Sequence, residues 1–395
     1  MIPIEEIVII DAARTPIGSF LGNLSEMPAP KLGSTVIKEI IERIGIDSDL
    51  IDEVIMGNVL PAGTGQAPAR QAALGAGLST STSCMTINKV CGSGLKAVML
   101  ACQSLMLEDS AFVFAGGMEN MSLVPYYLPD ARKPMKMGNK TIIDGMIKDG
   151  LWDVYNDFHM GKIAELCAEK CGISREEQDR YAVQSYNRAL NAIEKHYFEN
   201  EIIPVEIPGK KGDTTIVNVD EEPFKVKFDK IRSLKPVFDK NGTVTAANAS
   251  SINDGASALL LTTSSLAAKY NLKPLAKIKG YSTASKDPEW FTSAPEDSIN
   301  KLLYKTGYSI KDIDLWEINE AFSVVALKAI SSLKLSEENV NINGGAVSLG
   351  HPIGASGARI LTTLIHSLIA KDKKTGIASI CIGGGEAVSV MVEKL

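Results

Sequence analysis

The apolar run Ile7-Val8-Ile9-Ile10 reads as a buried strand. Asp11 to Gly18 follows as a loop, with Pro16 and Gly18 as breakers. Leu32 to Ile44 has the spacing of an amphipathic helix. Val54-Ile55-Met56 predicts a short strand, and Ala67 to Ala76 a second helix. Thr86-Ile87 lead into Asn88-Lys89-Val90-Cys91-Gly92-Ser93-Gly94, after which Leu95, Val98, Met99, Cys102, Leu105 and Met106 recur at helical spacing. Cys91 is thereby placed on the turn that opens a buried helix. Ala111 to Ala115 is strand-like and ends in Gly116-Gly117-Met118-Glu119. Strands and helices that alternate in this way predict a layered α/β fold.

The pattern changes from Met121 to Thr245, where charges are dense and apolar runs short. One clear helix is expected there, Arg175 to His196, opened by Ser174 with Glu177 three residues on. Ala256 to Leu261 restores strand character. The last third then repeats the first. Ile51-Asp52 precedes Gly57 as Ile313-Asp314 precedes Asn319, and Ser93-Gly94 opens one apolar helix as Ser356-Gly357 opens another, Ala358 to Ile369. The organisation expected is an N-terminal α/β half (1–120 with 246–270), an inserted loop domain (121–245) and a C-terminal α/β half (271–395). Two copies of one unit would bring equivalent turns to a shared cleft.

A length of 395 residues suits two or three such units. The formal net charge is −6 and no basic stripe stands out, which argues against nucleic-acid binding. No apolar run reaches the roughly 18–20 residues that span a bilayer. The acidic start at Glu5-Glu6 resembles neither a secretory signal nor a transit peptide, so a cytoplasmic protein is expected. The six cysteines, at 84, 91, 102, 167, 171 and 381, have neither zinc-like nor disulfide-like spacing. Cys167 and Cys171 are read as packing residues, and no metal site is expected.

A cysteine before a helix can be a small buried hydrophobe. It can also be a nucleophile, because a helix N-terminus favours a thiolate and glycines let a substrate approach closely. Three further stretches bear on the choice. They are Asn319-Glu320-Ala321-Phe322, Asn343 to Ala346 running on to Gly350-His351-Pro352-Ile353-Gly354-Ala355-Ser356-Gly357, and Cys381-Ile382-Gly383-Gly384-Gly385. They add a second thiol, a histidine, an asparagine and glycine-rich backbone. Those are the parts that activate a thiol, move a proton and hold an oxyanion.

In this order and spacing the four blocks resemble the thiolase family, most closely its short-chain biosynthetic branch. The likeness runs from Asp11-Ala12-Ala13-Arg14-Thr15-Pro16-Ile17-Gly18 to the end of the chain. It implies a duplicated five-layered α/β/α/β/α core with a loop domain inserted in the first half. The reaction implied joins two acetyl-CoA into acetoacetyl-CoA and CoA, reversibly, through an acetylated Cys91. His351 would activate Cys91, and Cys381 would be the base for the second substrate. His351 with a water on Asn319 would form one oxyanion site, and the N–H groups of Cys91 and Gly383 the other. Glu320 would orient its loop. No cofactor is implied beyond the CoA thioesters themselves.

Substrate-contacting residues implied by the resemblance are Ser250 with Ala249 on the pantetheine arm, Phe322, and the pair His159-Met160 beside the acetyl group. Taken alone, His159-Met160 fits a surface loop equally well, and the run Met146 to Leu151 favours the short-chain branch. Lys210, Lys211, Lys225, Lys227 and Lys230 could meet CoA phosphates or form a solvated face. Arg132 to Gly138 resembles a tetramerisation loop, so a homotetramer is expected. Three departures stand out: Glu386-Ala387 after the glycine run, Ala247 and Ser251 in place of glycines, and Glu222 where an arginine often follows Asp220-Glu221. Glu386, a carboxylate near the base, is expected to raise the Cys381 pKa, and Lys225 to take over the phosphate contact. Rival functions are a degradative thiolase of broad chain length, a catalytically impaired acyl-CoA-binding paralogue, and a Cys-His-Asn ketosynthase.

Overall fold

The computed structural model describes residues 5–209 and 212–395. Lys210 and Lys211 of the lysine cluster therefore lie outside the described residues. The core strands are β1 (Ile7–Arg14), β2 (Glu53–Gly57), β3 (Ser83–Ile87), β4 (Phe112–Asn120), β5 (Asn253–Thr263), β6 (Ala276–Ser285), β7 (Leu315–Ile318), β8 (Thr375–Ile382) and β9 (Glu386–Lys394). The main helices are α1 (Ala29–Ile44), α2 (Pro68–Gly75), α3 (Ser93–Met106), α4 (Met160–Cys171), α5 (Arg175–Glu194), α6 (Ala294–Thr306), α7 (Ser323–Leu333) and α8 (Ser356–Ala370).

The strands run in the order β3-β2-β4-β5-β1-β6-β9-β8-β7. In the first half β3, β2 and β4 are parallel, and β5 and β1 are added antiparallel. The second half repeats this. β7 and β8 are parallel, β9 and β6 are added antiparallel, and Val340 makes a parallel bridge to Trp316 where β3 would lie. The halves join edge to edge through Val8 with Lys277 and Ile9 with Ala276.

Three apolar clusters define the layers. Leu32, Val36, Ile37 and Ile40 of α1, with Ala69, Ala72 and Ala73 of α2, cover the outer face of the first half. Ile299, Leu302 and Leu303 of α6, with Ala326, Ile330 and Leu333 of α7, cover the outer face of the second. Between the halves, α3 and α8 share one core through Leu95, Val98, Cys102, Leu105, Leu361, Leu364 and Leu368. Two outer helix layers, two sheets and a shared inner layer give the five layers.

The starts of α3 and α8 meet backbone to backbone. A Cβ on Gly94 would lie 2.7 Å from the Ala358 nitrogen, and one on Gly357 would lie 2.5 Å from the Leu95 nitrogen. Ser-Gly at both helix starts is thus a packing requirement.

One expectation needs correction. Asp11 to Arg14 is strand rather than loop, continuing β1 past a bulge between Ile9 and Asp11. Arg14 is fully buried there because two carboxylates meet it: Glu201 at 2.5 Å, and Asp220 in a bidentate pair at 2.7 and 2.9 Å. Beside α5, the one clear helix expected in the inserted region, stands α4, a second α-helix among the described residues. Ser174 and Glu177 do form the capping box of α5.

Replacing Gly94 with alanine is expected to destabilise the protein by about 1–3 kcal/mol, because the clash is with main chain that cannot rotate away. Urea unfolding of Gly94→Ala beside wild type measures this; an unchanged midpoint would show that the helix starts are free to separate.

Candidate active site

Cys91 sits on a tightly held turn between β3 and α3. Asn88 Oδ1 accepts the Val90 N–H at 2.9 Å, and Ser93 Oγ accepts the Lys89 N–H at 2.8 Å while donating to Val90 O at 2.7 Å. These bonds hold Val90 at φ +46, an unfavourable conformation for a β-branched residue. The Gly383 N–H from the other half and the Cys91 N–H lie close enough to the Cys91 thiol to lower its pKa. Both favour a thiolate, but burial outweighs them and pushes the thiol up to about 11. The helix start therefore does not by itself activate Cys91.

His351 follows Gly350, whose φ of +111 requires glycine, and precedes Pro352. Its N–H donates to Asn253 Oδ1 at 2.8 Å, which ties it to β5. Its Nδ1 lies 2.6 Å from Ser356 Oγ, whose own proton goes to Pro352 O at 2.9 Å. Ser356 must then accept, so Nδ1 carries the proton and Nε2 presents a lone pair. Nε2 is buried without a partner. Burial, followed by the charge of Arg359, lowers the imidazole pKa to about 3, so His351 is neutral at working pH.

Asn319 follows β7, its N–H donating to Ser379 O at 3.0 Å, and both polar atoms of its buried side chain lack partners. Cys381 lies on β8, and its thiol is pushed well above the ordinary range by burial and then by Cys91. The two thiol-bearing segments adjoin, since a Cβ on Gly92 would meet Ile382 and one on Gly383 would stand 3.8 Å from Val90 Cγ1. Gly384 and Gly385, at φ +92 and +88, turn the chain back into β9. Glu320 is spent on structure: it accepts from Tyr181 and Ser185 at 2.8 Å, from Asn341 at 2.9 Å and from the Val347 N–H at 3.0 Å.

The expected substrate-contacting residues gather on one side. Ala249 bridges Phe322, and Ser250 Oγ donates to Ala321 O at 2.9 Å, so this segment lies along the Asn319 loop. His159 caps α4, accepting the Gly161 N–H at 3.0 Å, and stacks on Phe238 at 4.7 Å between centroids. Met160 Sδ would stand 3.3 Å from a Cβ on Gly383. Phe291, Phe322, Ala249 and Cys381 form one cluster, with Phe238 and Met160 against it. Met146 and Leu151 pack with Cys91 around Val59, Leu60 and Ile353.

Lys225 lies apart from this group. It is exposed, 3.8 Å from Glu222. Lys227 and Lys230 are exposed as well. Asp220 and Glu221 face inward, to Arg14 and to the Ser19 and Asn23 N–H groups.

The expectation for Glu386 is corrected. Its carboxylate pairs with Lys89 of the nucleophile turn, and the Cys381 thiol is raised by burial and Cys91 instead. Ala387 pairs with Cys381 within the sheet, where no glycine is needed.

Comparison with known proteins completes this description. The family model "Thiolase, N-terminal domain" matches residues 7–265, and "Thiolase, C-terminal domain" matches residues 272–394. The chain belongs to the thiolase family. It is 53% identical to acetyl-CoA acetyltransferase 2 of Arabidopsis thaliana over 393 residues, covering 99% of this chain and 98% of that protein. The crystal structure of a Bacillus anthracis acetyl-CoA acetyltransferase superposes with a TM-score of 0.97 at 40% identity, covering 99% of each chain. A thiolase of Ascaris suum in complex with coenzyme A superposes with a TM-score of 0.94 at 41% identity, covering 99% of this chain and 100% of that one.

Several supporting residues of this thiolase were not read from its sequence. Glu119 is buried at the end of β4 and accepts from Asn58 Nδ2 at 2.6 Å and from the Val59, Leu60 and Gly354 N–H groups at 3.0, 3.1 and 2.8 Å. It thereby ties the His351 loop to the first half, and burial pushes its carboxyl up to about 7. A lone acid closing an apolar strand was the available signal. Asn253 and Ser356 were legible only as members of motifs.

Because the Cys91 thiol is raised to about 11, its alkylation by iodoacetamide is expected to keep accelerating between pH 8 and 10. An ordinary thiol levels off above about 8.5. A plateau near that value would contradict a desolvated thiol. Ser356→Ala should slow alkylation at neutral pH several-fold, since the Nδ1 proton loses its acceptor.

Proposed function

We propose that this chain is an acetyl-CoA C-acetyltransferase that joins two acetyl-CoA into acetoacetyl-CoA and CoA, reversibly. The observation that carries the proposal is the contact of the Cys91 turn of one half with the Cys381-Ile382-Gly383 segment of the other, where a Cβ on Gly92 would meet Ile382 and one on Gly383 would stand 3.8 Å from Val90 Cγ1. The names borne by its relatives support the same activity.

In the first step His351 Nε2 takes the Cys91 proton and the thiolate attacks the acetyl carbonyl. The N–H groups of Cys91 and Gly383 hold the oxyanion. The C–S bond to CoA breaks, and the CoA thiolate leaves with the Cys381 proton. Burial still raises Cys381, but acetylated Cys91 carries no charge, so its smaller repulsion disappears and the Cys381 thiolate serves as base. In the second step Cys381 removes a methyl proton from another acetyl-CoA. The enolate oxygen is stabilised by protonated His351 and by Asn319, whose unpartnered side chain can hold a water. The enolate carbon attacks acetyl-Cys91, the thioester bond breaks, and Cys91 recovers its proton from His351. Both thiols and the imidazole end as they began, and no metal or organic cofactor is consumed.

The aromatic wall of Phe238, Phe291 and Phe322 with Met160 favours a short acyl group. Ser250 is proposed to contact the pantetheine arm, and His159 with Met160 to line the acetyl pocket. The segment Arg132 to Gly138, with Met135 and Met137 exposed, is proposed as the contact that builds a homotetramer.

Intact-protein mass spectrometry after brief mixing with acetyl-CoA should show one added acetyl group, on Cys91. It should be lost on adding CoA and be absent from Cys91→Ser. Asn319→Ala should keep the acetylation but lower condensation kcat by roughly 10²–10³. CoA binding without acetylation would overturn the proposal in favour of a binding protein.

A further inference from the structure

The oxyanion site has donors from two halves of the chain, so its geometry depends on what fixes one turn against the other. One turn is rigid: the Lys89 N–H is held by Ser93 Oγ, and Val90 is locked in its left-handed conformation. The other, Gly383-Gly384-Gly385, has no side chains of its own to hold it. Beneath, Gly92 lies against Ile382, and a Cβ on Gly383 would stand 3.8 Å from Val90 Cγ1. On the open side the two turns are connected by the ion pair of Lys89 with Glu386, which bridges residues 297 apart in sequence. Both partners spring from anchored backbone, because Glu386 opens β9 in register with Ser285 and Ile382.

We propose that Lys89 and Glu386 form an electrostatic clasp that positions the Gly383 N–H on the Cys91 sulfur and on the oxyanion that forms there. They are positioning residues, since neither touches the reacting atoms. The pair is partly exposed, with side-chain accessibilities of 24% and 32%, so it contributes little to folding. Its effect is geometric: small displacements of a transition-state donor cost far more in rate than in stability. The inference rests on the acyl-transfer function proposed above, and its test includes a readout that needs no turnover.

Lys89→Met, Glu386→Gln and the exchanged double variant Lys89→Glu/Glu386→Lys would be compared with wild type. Thiolysis of acetoacetyl-CoA gives kcat and KM, and iodoacetamide alkylation of Cys91 gives its pH profile. Each single variant should lose about tenfold in kcat with KM for CoA within about twofold. Its alkylation profile should move to higher pH, because the Gly383 N–H that favours the thiolate is displaced. The exchange should recover most of both. Single variants with wild-type kcat and profile would overturn the clasp. So would an exchange no better than either single variant, or a rise in KM for CoA with kcat intact, which would make Lys89 a ligand contact. If wild type itself fails to turn over, the activity proposal falls, while the alkylation profiles still decide the clasp.

Discussion

Two helix starts meet without side chains between them, and the site depends on that contact. Gly94 and Gly357 let α3 and α8 approach to backbone distance. Cys91 lies just ahead of one helix and His351 just ahead of the other. Any side chain at the crossing would separate the two sheets and the two turns with them. Packed interiors do not absorb such displacement locally. The same crowding continues at Gly57, Gly117 and Gly354, where an added Cβ would meet main chain or Glu119.

The inner layer that results is apolar and buried, and burial sets the electrostatics. Burial raises both thiols and lowers His351, so the resting groups are neutral. A neutral imidazole with a bare Nε2 is a competent acceptor for a thiol proton, and Ser356 determines which nitrogen is bare. The unpartnered polar atoms of His351 and Asn319 are costly in a folded protein and are kept where a substrate would satisfy them. Arg14, Glu119 and Glu320 are satisfied instead, Arg14 by two carboxylates and the two glutamates by converging donors.

Glu386 illustrates how a local departure is judged by its partner. In sequence it is a carboxylate beside a proposed base, and proximity alone suggests repulsion. In the fold its charge is directed to Lys89, across the cleft, and away from Cys381. Ala247, Ser251 and Ala387, which stand where glycines were anticipated, have no positive φ and need none.

The sequence by itself determined the layered α/β class, the duplication and the roster of reactive groups. Apolar periodicity marked α1, α3 and α8 to within a few residues, because the faces of an element are set by local spacing. Cys91, His351 and Cys381 were legible because each sits in a short glycine-rich motif, and Asn319 through the block Asn319-Glu320-Ala321-Phe322. Tertiary structure alone decided the strand past Asp11, the tautomer of His351, the tie through Glu119 and the pairing of Lys89 with Glu386. A buried polar group is stable only with its partner. Those partners lie 98 residues away for the His351 N–H, 235 for Glu119 with Gly354 and 297 for Lys89. Periodicity carries no information over such separations; only the assembled fold brings the partners together.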